Sequence, residues 1–510
     1  MDDYSSTDSN LEARPTYWLT RFLILRLLGI VYAVAFLVII NQILPLIGSD
    51  GLLPINNYAN HVSEILGSAS ASFFHLPSMF WFFHSDSTLI TWAWIGFILS
   101  CIVVIGFANA PMLAALWFLY MSFMNIGQEW YGFGWEIQLL ETGFLAIFLC
   151  PLIDLRPFPR RPAPFTIIIL FRWLIFRIML GSALIKLRGD ISWRNGTALY
   201  HHFETQPIPG PLSRFFHFMP KFFLKAGVWF NFLAELIAPF FIFWPRLGRI
   251  IAGIIIIAFQ FTLILSGNLS FLNWLTIVPA LACFDDQFLA KILPERIVQL
   301  ANHAETNSVE SKPMIVTAWV ITIIVGLLSI QPAFNLLSSR QIMNTSFDRL
   351  NLVNTYGAFG TVGEERLNVV FEGTMDNNPG DSANWIAYPY KGLPVALDKR
   401  PPQIAPYQPR LDWQMWFASM STPEEYPWTI HLISKLLHND ALALSLFAGN
   451  PFPKGPPKYV RAILYRYSFV KPNAEGIWWK RERIGEPWIS PLAADDPQLI
   501  AYLKSNGWNP

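Results

Sequence analysis

Charge is scarce in this chain. Asp, Glu, Lys and Arg make up 14% of its 510 residues, where soluble globular domains carry roughly 25%. Set beside a 53% hydrophobic and 15% aromatic content, that shortage excludes an ordinary soluble enzyme and implies that lipid solvates much of the chain. An excess of one sign is missing too: the formal net charge is +1, so a nucleic-acid partner has no electrostatic support. Cysteine is almost absent. Cys101, Cys150 and Cys283 all fall inside apolar segments, and no CxxC, disulfide framework or Cys/His metal pattern can be built from them. GxSxG, HExxH and P-loop strings are lacking as well, so neither a metal nor a cofactor is expected. The N-terminus, MDDYSSTDSN, is acidic rather than basic. The first apolar segment, 19–47, is longer than a signal-peptide core, has no small-residue cleavage site after it, and reads as a retained signal-anchor helix.

What is present is a series of long apolar runs. A helix needs roughly 20 apolar residues to cross the hydrocarbon. The candidates are 19–47, 88–108, 111–126, 135–153, 165–187, 225–244, 249–265, 269–288 and 314–331, with 111–126 and 249–265 the weakest. Arg156, Arg160 and Arg161 follow the fourth run, Arg246 and Arg249 follow the sixth, and Arg14, Arg21 and Arg26 flank the first. The positive-inside rule makes those loops cytoplasmic. It puts the N-terminus inside and everything after the ninth run outside. Beyond 331 the apolar runs stop and Pro, Trp and charged residues take over. Residues 367–373 and Tyr459–Phe469 alternate as strands do, 376–381 is a turn cluster, and Trp428–Leu437 and 440–447 look helical. The expected fold is an all-α polytopic transmembrane bundle of about nine helices, residues 1–331, followed by a mixed, strand-rich extramembranous C-terminal domain, 332–510, on the lumenal or periplasmic side.

Three groups of residues are candidates for function. Ionisable side chains inside the apolar runs are costly unless paired or hydrated. Glu141 and Arg177 lie on consecutive antiparallel helices and are expected to pair, with Glu136, Arg172 and Glu235 completing a polar seam. Such a seam serves helix packing as readily as function. The outer loop 188–224 is dense in ionisable groups. There Lys186, His201, His202 and Glu204 could relay protons, as a base lowered in pKa at a membrane boundary would; the plainer reading is an interfacial loop stiffened by Pro207, Pro209 and Pro211. In the outer domain, Asp412, Trp413, Trp416, Phe417, Trp478 and Trp479 could grip a client protein, since aromatic residues dominate binding hot spots. The spacing of Trp413, Trp416 and Phe417 equally describes a buried helix face. Sequons at Asn195, Asn268 and Asn344 fall on the outer side, Asn268 too near the bilayer for modification.

Several strings resemble the lipase maturation factor family: Asn354–Gly360 (NTYGAFG), Pro406–Ala418 (PYQPRLDWQMWFA), Gly449–Phe452 (GNPF), Trp478–Arg481 (WWKR), and, in the membrane half, Lys186–Asp190 (KLRGD) and Tyr200–Pro207 (YHHFETQP). The resemblance covers nearly the whole chain in order. It implies a multi-pass membrane protein whose better-known animal members reside in the endoplasmic reticulum, carry a lumenal C-terminal domain and help secreted lipases fold into active homodimers. The membrane half is also distantly similar to the transmembrane part of vitamin K-dependent carboxylases. One departure stands out: the family's animal members carry cysteines near the positions of Gly392 and Pro402, and this chain has none there. That weakens a redox-chaperone reading and raises the case for a bacterial relative. The function expected is therefore a membrane-anchored maturation or assembly factor for exported proteins, lipases foremost, in contact with membrane lipids. It would sit in the endoplasmic reticulum membrane of a eukaryote or the inner membrane of a bacterium. The alternative is a membrane enzyme with its site at the outer mouth of the bundle, around Lys186, His201, His202 and Glu204. Transport, hinted at only by Pro239 and Pro279, is a third reading.

Overall fold

The computed structural model describes residues 15–472 and 475–508; Arg14 lies outside them. Among the described residues six helices are long and apolar enough to cross a membrane: α1 (Trp18–Ile47), α2 (Asp86–Ile105), α5 (Phe165–Arg188), α6 (Lys221–Phe241), α7 (Arg246–Ser266) and α9 (Lys312–Leu337). Three of the expected spans are shorter apolar helices, α3 (Ala110–Ile126), α4 (Gly134–Ile147) and α8 (Leu272–Cys283). Their shortness has a physical reason in α4. Nearly all of its residues are buried against neighbouring helices, so protein rather than bilayer thickness sets its length. The expected boundary at 331 falls inside α9, which runs on to Leu337.

The helix ends gather on two faces. On one, Arg21 donates to the Arg161 carbonyl at 2.7 Å, Val309 N–H to the Arg160 carbonyl at 2.9 Å, and Arg246 and Arg249 pair with Asp285 at 2.7 and 3.0 Å. This is the arginine-rich face. On the other, Ser49 binds Asp86 and Gln128 donates to the Leu53 carbonyl, and the C-terminal third of the chain covers it. The polar loop 188–224 contains three short helices, Ile191–Arg194, Leu199–Thr205 and Ser213–His217.

The C-terminal third carries an antiparallel sheet in which β1 (Arg366–Thr374) pairs with β2 (Ile386–Ala387) on one side and β3 (Tyr459–Phe469) on the other. β3 in turn pairs with β4 (Trp479–Arg483) and β5 (Ile489–Ala493). Alternation puts Val369 and Phe371 on one face and Val370 on the other. The first face joins a core continuous with the helix bundle. The second packs with Ile463, Tyr465, Tyr467, Phe469 and Trp479 in a separate cluster. Burial of both faces explains why these strands are rich in aromatic and β-branched residues. Two helices, α10 (Arg410–Ala418) and α11 (Trp428–Leu437), lie between sheet and bundle, almost wholly buried.

Polar locks join this assembly to the membrane helices. Gln42 of α1 accepts from Arg410 N–H at 2.9 Å and donates to the Gln408 carbonyl at 2.7 Å. Asn268 accepts from Ile404 and Ala405 N–H, both at 2.8 Å, and donates to the Pro402 carbonyl. That side chain is therefore spent on structure, whereas Asn195 and Asn344 are exposed. Arg366 reaches from β1 to the carbonyls of Glu204, Gln206 and Pro207.

Candidate functional site

A cavity of about 610 Å³ lies where α5, α6, α7 and α8 meet α10 and the segment 356–363. Its buried charged pair is built by a break in α6. Pro239 has no N–H to offer the Glu235 carbonyl, and the chain accommodates this with one π-helical turn, Leu233–Ile237, a local distortion common at functional sites. The turn directs Glu235 toward Lys186 near the end of α5. Lys186 Nζ donates to both Glu235 oxygens at 2.7 and 2.6 Å and to Asn231 Oδ1 at 2.9 Å, and Asn231 donates back to Glu235 at 2.9 Å. All three ammonium protons are used, so the pair is neutral as a unit and fully buried. Trp193 lies 5.0 Å from the ammonium.

His202, from the short helix Leu199–Thr205, lines the same cavity. Burial, helped by the Lys186 charge, pushes its imidazole down to about 4, so it is neutral at physiological pH. Glu204, two residues on, points elsewhere: it accepts from Phe469 N–H at 2.5 Å and stands 3.6 Å from His217. Burial raises the Glu204 carboxyl and lowers His217 to about 4, so that contact is not an ion pair at neutral pH. The expected relay of Lys186, His201, His202 and Glu204 is therefore divided. Lys186 and His202 share the cavity, while Glu204 ties the loop to β3 and His201 is not among the cavity's lining residues. Among the described residues no group of His, Cys, Asp or Glu could hold a metal ion.

The intramembrane charges form separate units rather than one seam. Arg177 pairs with Glu141, which also accepts from Tyr356 O–H at 2.7 Å and Asn354 N–H at 3.0 Å. Glu136 pairs with Arg410 at 2.9 Å and accepts from Tyr120. Arg172 donates to the Ala282 carbonyl and to Tyr17. Two of the carboxylates are thus locked to the C-terminal third, a role the sequence reading did not assign. Arg410, Asn354 and Tyr356 were visible only as parts of the aromatic strings, with nothing local to name their partners.

The aromatic client patch is also redistributed. Asp412, Trp413 and Trp479 are buried, which corrects the expectation that they face a client. Asp412 accepts from Gly392 and Leu393 N–H at 2.6 and 3.0 Å, and burial raises its carboxyl to about 6. Trp413 packs on Trp135 and Phe133, and Trp479 stacks on Phe469 at 4.1 Å. Trp416 and Phe417 are half-buried on the cavity wall, and Trp478 is half-buried under Arg214, whose guanidinium sits 3.5 Å over its ring.

Comparison with known proteins adds an independent line. The family model described as "Lipase maturation factor transmembrane domain" matches residues 19–291, and "Lipase maturation factor C-terminal domain" matches 352–489. Lipase maturation factor 1 from Bos taurus is 46% identical, with 98% of this chain and 94% of the relative aligned. The Homo sapiens protein of that name is 44% identical over 97% of this chain and 91% of its own length. Homo sapiens lipase maturation factor 2 is 28% identical over 77% of this chain and 70% of its own length. No solved structure matches.

Proposed function

The chain belongs to the lipase maturation factor family, and from that premise we propose that it is a multi-pass membrane maturation factor that assists the folding and assembly of exported lipases without chemistry of its own. The observation that carries the reading is the match to relatives named for that role across nearly the full length of both proteins. The state of Lys186 supports it: an ammonium whose three protons are held by Glu235 and Asn231 is not a free base. Client contact falls to the aromatic side chains that burial leaves available, Trp416, Phe417 and Trp478, together with the exposed Met420. The test is co-expression with a secreted dimeric lipase in cells lacking their own factor. Specific activity per secreted lipase molecule should rise at least tenfold with this chain present; an unchanged specific activity would overturn the reading.

The outward side of the C-terminal third, from beyond Leu337, is part of the same proposal. Its support is that it covers the face opposite the arginine-rich one, and cytoplasmic loops carry the excess of Lys and Arg. Asn378 and Arg156 are both exposed and belong to opposite faces. In sealed vesicles of known sidedness, Asn378→Cys should react with a membrane-impermeant maleimide only from the lumenal or outer side and Arg156→Cys only from the cytoplasmic side. The reverse pattern would invert the topology.

A second reading, a membrane enzyme, keeps one observation in its favour: a neutral His202 stands beside Lys186 in an apolar cavity.

A further inference from the structure

The cavity is apolar over most of its wall, yet it holds polar groups that the protein leaves unsatisfied. His202 and Asn273 are each more than nine-tenths buried, line the cavity, and have no hydrogen-bond partner among the described residues. Gln260, equally buried, has only a 3.8 Å contact to the Met179 sulfur for its amide nitrogen and no partner for its oxygen. Buried polar groups are ordinarily satisfied, and leaving one unpaired costs roughly 1–3 kcal/mol. Three lining one cavity, each from a different helix, point to a ligand that supplies the missing bonds. The volume, about 610 Å³, falls within the roughly 300–1,000 Å³ usual for small-molecule sites.

The chemistry of the head follows from the charges. The one ion pair in the cavity, Lys186 with Glu235, is closed on itself, and His202 is uncharged. No net charge is available to match an anionic or cationic head, and a charge brought into such a site would stay uncompensated. Hydroxyl and carbonyl oxygens are what neutral imidazole and amides recognise. The route in is lateral. Phe223 of α6 and Thr262 of α7 both line the cavity and are exposed on the outer surface of membrane-spanning helices, so the wall between them faces lipid.

We propose that this cavity binds an uncharged membrane amphiphile, a hydrocarbon body with a hydroxyl- or ester-bearing head, admitted from the bilayer between α6 and α7 and held by His202, Asn273 and Gln260. The proposal goes beyond the maturation role and does not depend on the identity of the client, although the cavity shares Trp416, Phe417 and Met420 with the client surface proposed above.

The test is photolabelling of the full-length protein in nanodiscs with 1-oleoylglycerol carrying a diazirine in its chain. Labelled peptides should include Phe230, Leu263 or Trp416 of the cavity wall, and unlabelled 1-oleoylglycerol should compete at least tenfold better than oleate or lysophosphatidylcholine. A diazirine-bearing cholesterol labelling the same peptides more strongly would assign the head to a sterol hydroxyl, within the same proposal. Asn273→Leu/Gln260→Leu should cut cavity labelling at least tenfold. Thr262→Trp should do the same by blocking the window, and its exposed position protects the fold. Ile323→Trp, on the lipid-facing surface of α9, should change nothing. Labelling confined to outer helix surfaces, equal competition by the charged lipids, or indifference to Thr262→Trp would each overturn the proposal.

Discussion

Arg410→Ala should abolish the monodisperse, folded protein. The Arg410 side chain and that of Glu136 are both fully buried, and their charges meet at 2.9 Å. The guanidinium also donates to the Trp130 carbonyl at 2.5 Å and lies 3.5 Å over the Tyr131 ring. Its backbone N–H is held by Gln42 of α1. One residue of α10 therefore closes contacts with α1, α4 and the turn before α4. Truncating it leaves the Glu136 carboxylate buried without its cation, with Tyr120 still donating to it, an uncompensated charge that costs about 3–5 kcal/mol. Whole domains are stable by only about 5–15 kcal/mol, so the loss is a large share of the total. Size-exclusion profiles and thermal unfolding in detergent check it. Arg410→Lys should recover only part, since an ammonium cannot reproduce a planar fork that both pairs and stacks. Arg410→Met/Glu136→Gln should recover most, because replacing both charges removes the desolvation problem along with the bond. A monodisperse Arg410→Ala protein with unchanged melting temperature would show that the C-terminal third docks by its apolar surface alone.

That pair also marks the limit of what the residues reveal in one dimension. Glu141 and Arg177 sit on α4 and α5, consecutive and antiparallel, and depth along two neighbouring helices is enough to bring them to one level. Glu136 belongs to the same helix, yet its partner lies at Arg410, beyond five further apolar helices and two strands; no periodicity links them. Strands β1 and β3 were legible because alternation is a local property, and their pairing is antiparallel over the full length of β1. The π turn that aims Glu235 at Lys186 leaves only Pro239 as a trace, and proline in a membrane helix has several possible consequences. The apolar runs were legible, but composition alone cannot separate a helix bathed in lipid from one enclosed by other helices. That is why α4 and α8 are shorter than the runs suggest. Trp413 and Trp479 fail as a client surface for a related reason: position along a helix or a strand reports a face, not what covers it.

Lys186→Met should be nearly as damaging as Arg410→Ala, and the recovery experiment there carries the functional argument. The single change strands Glu235 with Asn231 as its remaining partner, inside a membrane-spanning helix where an unpaired charge is expensive. Glu235→Leu strands the ammonium in the same way. Lys186→Met/Glu235→Leu removes both charges and fills their space with side chains of similar bulk, an exchange that is often neutral or stabilising for buried pairs. The double variant should therefore run as a monodisperse peak where both single variants aggregate. If Lys186 acts only through the fold, the double variant also restores lipase maturation to within about twofold of wild type, a difference of roughly 0.4 kcal/mol on the scale where tenfold is 1.4. If Lys186 performs chemistry, the double variant folds and yet leaves the secreted lipase inactive, because no methionine can donate or accept the proton. Stability and activity move together in the first case and part in the second. The pair is thus the place in this molecule where an assembly factor and a membrane enzyme make opposite demands on the same two side chains.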